Sequence, residues 1–190
     1  MIHIFFNEQY HLELPPNHRF PMDKYRLTKA QLIYEGTFTE SNFISPKPAT
    51  QEQLLAVHDQ SYIDKLNSGN LTRHEIRRSG FPYNRDLVLR EESITGGTIA
   101  ATYAAMKEGV SFNLAGGTHH AYPDHAEGFC IYNDIAVASR DYLHKFPNNQ
   151  ILIVDLDVHQ GNGTAHIFRN EPRVFTFSVH GEKNYPMHKE

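Results

Sequence analysis

The stretch that decides the fold is Gln150-Ile151-Leu152-Ile153-Val154-Asp155-Leu156-Asp157-Val158-His159-Gln160-Gly161-Asn162-Gly163. Ile-Leu-Ile-Val before an acid reads as a strand over Gln150 to Asp155. An unbroken apolar run of this kind marks a parallel sheet buried on both faces. Polar groups then follow at alternate positions. A two-residue repeat puts Asp155, Asp157 and His159 on one side while the chain stays extended. Two neighbouring carboxylates are expensive to bury unless a cation neutralises them, and carboxylate oxygen and imidazole nitrogen are both zinc ligands. Gly161 and Gly163 let the backbone turn away and leave these groups at a cleft. The competing reading is a strand end with solvated carboxylates.

Working outward, short apolar runs alternate with helical stretches, the α/β pattern. Ile2 to Phe6, Phe38 to Ser45, Val110 to Leu114 and Val174 to Val179 read as further strands. Asp23 to Tyr34 reads as a helix with Tyr25, Leu27, Leu32 and Ile33 available for burial. Thr50-Gln51-Glu52-Gln53 has the form of a capping box and opens a helix carrying Leu54, Val57, His58, Ile63 and Leu66. The polar, Arg-rich residues 67 to 85 read as a long surface loop with a short helix. Asp86 to Lys107 and Asp134 to Phe146 are helices. The Gly96-Gly97 pair is costly in the first of these unless something packs closely there.

Two more clusters carry chemistry. Gly116-Gly117-Thr118-His119-His120 sets two imidazoles behind a glycine turn, just after a strand; alone, this is as easily a loop accident. Glu127-Gly128-Phe129-Cys130-Ile131-Tyr132-Asn133-Asp134 reads as a turn into a helix capped by Asn133 or Asp134, compatible with a pocket role for Gly128 and Phe129. In open parallel sheets, ligands bind at the carboxyl ends of strands, where the His pair and the Asp155 cluster both sit.

Composition narrows the classes. The net charge of -4, with no basic stripe, argues against a nucleic-acid binder. One cysteine allows no internal disulfide and suits a reducing, cytoplasmic setting. The start MIHIFFNEQY lacks the basic region of a secretory leader, and no apolar run approaches the roughly 18 residues of a membrane span. Thirteen histidines are many for 190 residues; most read as scattered surface groups.

Together the stretches Gly116-Gly117-Thr118-His119-His120-Ala121, Gly128-Phe129-Cys130-x-Tyr132-Asn133-Asp134-Ile135-Ala136, Asp155 to Thr164 and Phe177 to Pro186 resemble the histone deacetylase family, as do His18 to Tyr25 and Val57-His58-x-x-x-Tyr62. Gln160, Asn162 and the run Gly181 to Pro186 are closer to its bacterial and class IV members. The resemblance implies an α/β, arginase/deacetylase-like three-layer fold with a mostly parallel sheet. It implies a zinc hydrolase of acetyl amides, with Asp157 and His159 as two of three zinc ligands. His119 and His120 match the tandem pair, His120 as proton acceptor and donor, His119 oriented by Asp155, and Asn162 where many members support the second His with an Asp. Gly128 and Phe129 match the floor and wall of an acyl-lysine tunnel, with Tyr185 as the facing aromatic. Asp155, Asp157, His159, Ser178 and Val179 match the ligands of a monovalent cation, usually potassium.

The family's third zinc ligand, its oxyanion-stabilising Tyr and two central strands lie later in sequence. Residues 1–190 are therefore expected to form the amino-terminal part of one such domain, with about five strands, a gap at the sheet centre and the C-terminal strands lacking. The family's substrate-clamping Asp has no counterpart in Ser79 to Asp86, so small acetylated amines are implied as much as acetylated proteins. The alternatives are an inactive or partner-binding remnant and a di-manganese ureohydrolase. The latter needs a carboxylate where Gly161 stands.

Overall fold

A computed structural model describes all 190 residues. Strand β1 (His3–Phe5) pairs in parallel with β2 (Phe43–Ile44) on one side and β3 (Ser111–Asn113) on the other. Strand β4 (Ile151–Asp155) pairs in parallel with β5 (Val174–Ser178), Asp155 opposite Ser178. The two sheets share no strand pairing. These are the five strands and the central gap expected of the sequence.

The helices are α1 (Lys24–Tyr34), α2 (Gln51–Leu55), α3 (Gln60–Ser68), α4 (Arg73–Ser79), α5 (Arg85–Glu108), α6 (Asp134–Lys145) and α7 (Asn162–Phe168). Helix α5 is the spine: it packs on β1 and β3 and against α6, while α7 packs on β5 and α6. Its glycine pair serves close approach. A Cβ on Gly96 would sit 2.8 Å from the Ala49 nitrogen where the Pro48–Ala49 segment crosses, and one on Gly97 would meet the Tyr10 hydroxyl and, at 2.8 Å, the Asn113 amide. The main core gathers Tyr10, Leu54, Ile63, Leu66, Phe81, Leu87, Ile94 and Tyr132 around this helix. Arg90 and Glu91 pair within it, and Arg90 also donates to the Tyr10 carbonyl at 2.7 Å and the Tyr25 hydroxyl at 3.0 Å. Burial pushes the Glu91 carboxyl up to about 7.

Four expectations are corrected. Strands β4 and β5 are covered on one face only. Ile153 and Val174 join Ala136, Leu143 and Phe168 in a small second core, while Leu152 (63% exposed), Val154 (51%), Phe175 (66%) and Phe177 (48%) lie bare on the other. The helix after Thr50 keeps its capping box but breaks before Asp59, because the Asp59 N–H donates to the Pro123 carbonyl at 2.9 Å and His58 turns inward. In α1 only Tyr25 is buried, with Leu27 on the surface. In the expected strand from Phe38 to Ser45, a 3-10 turn takes Glu40–Asn42, capped by Thr39, and leaves two paired residues.

Candidate active site

The tandem imidazoles stand on a turn fixed by one carboxylate. Asp134, the first residue of α6, accepts from the backbone N–H of Gly117 at 3.2 Å and of Thr118 at 2.8 Å, and from the hydroxyls of Thr118 and Thr98. Its own N–H donates to Thr118 Oγ1 at 3.0 Å. Asn133 caps the helix by accepting from the Ala136 N–H, and its amide donates to the Ala121 carbonyl and to Thr164 Oγ1. Behind it, buried His58 accepts the Asn133 N–H at 3.0 Å on Nε2, which puts its proton on Nδ1 facing the Tyr122 carbonyl at 3.1 Å. Burial pushes the His58 pKa down to about 4, so this brace is neutral at pH 7.

His119 and His120 are both buried, ring centroids 4.1 Å apart. Asp155 Oδ2 accepts from His119 Nδ1 at 2.6 Å. Burial pushes the Asp155 carboxyl up, but hydrogen bonds from His119 and the Asp157 N–H outweigh it and hold the group below the usual carboxylate range. His120 Nδ1 lies 2.6 Å from Asn162 Oδ1. Burial, then repulsion from His119, lowers the His120 pKa to about 4 against the opposing Asn162 bond. The second imidazole is thus neutral at pH 7.

Asp157 and His159 reach the same place by a route other than a continuing strand. The strand ends at Asp155, and two successive carboxylate turns follow. Asp155 Oδ1 accepts from the Asp157 N–H at 3.0 Å, and Asp157 Oδ1 accepts from the His159 N–H at 2.7 Å. Asp157 Oδ1 and His159 Nδ1 end 3.0 Å apart, both half exposed. Two donors on one tetrahedral zinc, each about 2.0–2.1 Å from it, are separated by roughly 3.3 Å, so this pair fits two corners of such a site. No third His, Cys, Asp or Glu joins them. The His159 ring centroid is 6.0 Å from that of His120.

The glycines here make room and do not turn the chain. Gly161 precedes α7 with φ -72°, and a Cβ on it would strike the Asp155 carboxylate and crowd His119. A Cβ on Gly163, inside α7, would lie 2.7 Å from the His120 carbonyl carbon and 2.8 Å from the His119 oxygen. Gly128 and Phe129 do turn the chain, at φ +56° and +66°, held by donation to the Arg78 and Ser79 carbonyls. A Cβ on Gly128 would meet the His120 ring at 2.7 Å and the Tyr185 ring at 3.3 Å, so this residue lies between the two. The Tyr185 ring stands edge-on to His120 at 5.0 Å. Phe129 packs among His18, Phe20 and Phe81. Ser178 sits beside Asp155 in the sheet, its hydroxyl 2.9 Å from His180 Nδ1, and the Val179 N–H donates to the Asp155 carbonyl at 2.9 Å.

One group escaped the sequence reading. Glu127 takes Arg78 on Oε2 (2.7 and 2.9 Å), and the Tyr185 hydroxyl and the Asn162 amide (3.1 Å) on Oε1. The only sequence signal was an acid next to a pocket glycine.

The chain is similar to known proteins over nearly its whole length. The histone deacetylase domain model matches residues 18–190. An uncharacterized protein of Picosynechococcus is 41% identical over 187 residues, covering 98% of this chain and 62% of that protein. The acetoin utilization protein AcuC of Staphylococcus aureus is 31% identical over 173 residues, 86% of this chain and 44% of that protein. Among solved structures, an HDAC homolog complexed with SAHA superposes with a TM-score of 0.81 at 29% identity, covering 99% of this chain and 54% of that one. An HDAC homolog from Aquifex aeolicus gives 0.80 at 28%, with the same coverage of each chain. The chain spans about half the length of the AcuC proteins and solved structures it matches.

Proposed function

The chain belongs to the histone deacetylase family, and from that premise we propose that it carries the imidazole pair and two metal ligands of a zinc-dependent deacetylase. The observation that carries this reading is the convergence of the two imidazoles, each tied at Nδ1 by a 2.6 Å hydrogen bond, beside the Asp157–His159 pair. Asp157 and His159 would hold the metal, with the third protein ligand of a catalytic zinc site to be sought outside these 190 residues. A bound zinc ion supplies a Lewis acid for the acetyl carbonyl and lowers the pKa of water toward about 7.

The chain's own residues then do the following. His120, neutral and with Nε2 free, takes a proton from the water that adds to the carbonyl carbon. As the C–N bond breaks, it delivers that proton to the departing amine, leaving acetate and a free amine. His119, gripped by the Asp155 carboxylate, stabilises the charge that develops beside it. Asn162 holds the His120 ring without the charge of an aspartate. Gly128 and Tyr185, with Phe129, line the approach for an acetylated chain, either acetyl-lysine or a small acetylated amine. Asp155, Asp157, His159, Ser178 and Val179 are the candidate ligands for potassium behind the site. We read residues 1–190 as part of one deacetylase domain acting in the cytoplasm, where the buried thiol Cys130 stays reduced. No helix is long and apolar enough to cross a membrane.

A second reading, an inactive partner-binding chain, draws on the two-donor count of the metal pair. Titration with zinc chloride separates them. Binding that is lost in Asp157→Ala, together with release of acetate from an acetylated lysine peptide, supports the enzyme; zinc binding that ignores Asp157 refutes it.

A further inference from the structure

We propose that Glu127 is a positioning residue that decides which end of the Asn162 amide faces His120, and thereby which ring nitrogen carries the proton. The inference deepens the reading of His120 as proton acceptor. It stands on four groups in a row: Arg78, Glu127, Asn162 and His120.

An amide is ambiguous where a carboxylate is not. Asn162 is 3% exposed, so water does not decide its orientation. Taken alone, it serves His120 equally well with its oxygen, leaving the proton on Nδ1, or with its NH2, leaving the proton on Nε2. Glu127 breaks this symmetry, because an ionised carboxylate only accepts. The Asn162 NH2 therefore turns to Glu127 Oε1 at 3.1 Å, and to the Tyr122 hydroxyl at 3.2 Å, which itself donates to Glu190. Asn162 Oδ1 is left to His120 at 2.6 Å. The proton must then sit on His120 Nδ1, with Nε2 free for chemistry. The reversed amide would set two oxygens 3.1 Å apart with no hydrogen between them.

Glu127 stays charged for a visible reason. Burial raises its pKa, but the His125 ring beside it and hydrogen bonds from Tyr185, Arg78 and Asn162 outweigh it and hold the carboxyl below the usual range. The arrangement moves the negative charge that a direct aspartate partner would place on His120 one residue further out, and neutralises it with Arg78. What reaches His120 is an orientation without an adjacent charge.

The test reads the tautomer directly, by long-range 15N–1H correlation of the histidine side chains in the 190-residue chain at pH 7, with His120→Gln identifying the signal. Wild type is expected to show one His120 form, protonated at Nδ1. Glu127→Gln can donate or accept, so both amide orientations become hydrogen-bonded and the signal becomes a mixture. The double variant Glu127→Gln/Asn162→Asp is expected to restore the single Nδ1-protonated form. The carboxylate then at position 162 can only accept from His120, while the amide then at position 127 donates to that carboxylate. A merely structural role for Glu127 in seating Arg78 would not be rescued by a change at position 162. A wild-type proton on Nε2, an unchanged signal in the single variant, or a mixture persisting in the double variant each overturns the proposal. If the single variant does not fold, the wild-type and double-variant spectra still decide. Failure of the enzyme reading would show as zinc binding that ignores Asp157, with this tautomer intact. Failure of the present inference alone would show as Asp157-dependent zinc binding with the tautomer uncontrolled.

Discussion

Replacing Gly163 by alanine sets two opposite tendencies against each other, and the structure says which wins. Gly163 lies inside α7, where alanine is the better helix former by about 1 kcal/mol; on propensity alone the variant gains stability. The new Cβ, however, would sit 2.7 Å from the His120 carbonyl carbon and 2.8 Å from the His119 oxygen. These are backbone atoms of a turn pinned by Asp134, with no flexible end to swing aside. The Ala121 carbonyl oxygen lies nearer still, and ordinary contact begins at 3.4 Å, so α7 and the turn must part by about 1 Å. Overpacking of this kind costs about 2–3 kcal/mol, leaving a net loss of about 1–2 kcal/mol after the helix gain. For a chain this long, Tm should fall by about 2–8 °C. The displaced backbone carries both imidazoles, and a misplacement approaching 1 Å costs on the order of 10²-fold in rate. Thermal unfolding by circular dichroism and turnover of an acetyl-lysine peptide measure the two effects. A Tm that rises by the few degrees propensity allows, with turnover unchanged, would refute the claim that Gly163 is there for close approach.

Other outcomes follow from the same contacts. In an enzyme completed by the third zinc ligand, His120→Ala should remove turnover while zinc binding persists; retained turnover strikes His120 from the proton-transfer role. Gly128→Val should weaken substrate binding through its 2.7 Å approach to His120 with zinc content unchanged, and an unaltered KM would show that Gly128 does not line the path. Arg90→Met leaves Glu91 uncompensated in the core and should cost about 3–5 kcal/mol in urea unfolding; a loss under about 1 kcal/mol would contradict the buried pairing. His58 titrates near 6.5 when unfolded and near 4 when folded. The unfolded chain thus binds more protons between those values, and stability is full above about 6.5 and declines as pH falls toward 4. The decline amounts to roughly 3 kcal/mol for that group, with His120 adding in the same direction. Urea unfolding at pH 7 and pH 5 checks it, and a flat profile would show that His58 is not held neutral.

The local code of the sequence was readable where a mechanism is local. Thr50 with Gln53, the apolar run before Asp155, and the Gly96-Gly97 pair each predict the feature found there. The His-His turn and the Asp157–His159 pair were legible as clusters. What was hidden depends on partners remote in sequence. Whether Leu152 and Phe175 are covered is decided by what packs on them, and an apolar strand looks the same either way. The break before Asp59 depends on the Pro123 carbonyl, far along the chain. Glu127 was passed over because its partners, Arg78 and Asn162, lie 49 and 35 residues distant. Gly161 and Gly163 were noticed for the wrong property, since their use is the space they leave.

The absence of strand pairing between the two sheets has a mechanical consequence. The imidazoles follow β3, whereas Asp157 and His159 follow β4. The span between them is therefore kept by α6, by the Thr164-to-His119 bond and by the two Nδ1 bonds. The separation of the metal pair from the imidazoles is thus fixed by helix packing and side-chain hydrogen bonds rather than by a strand ladder running through both.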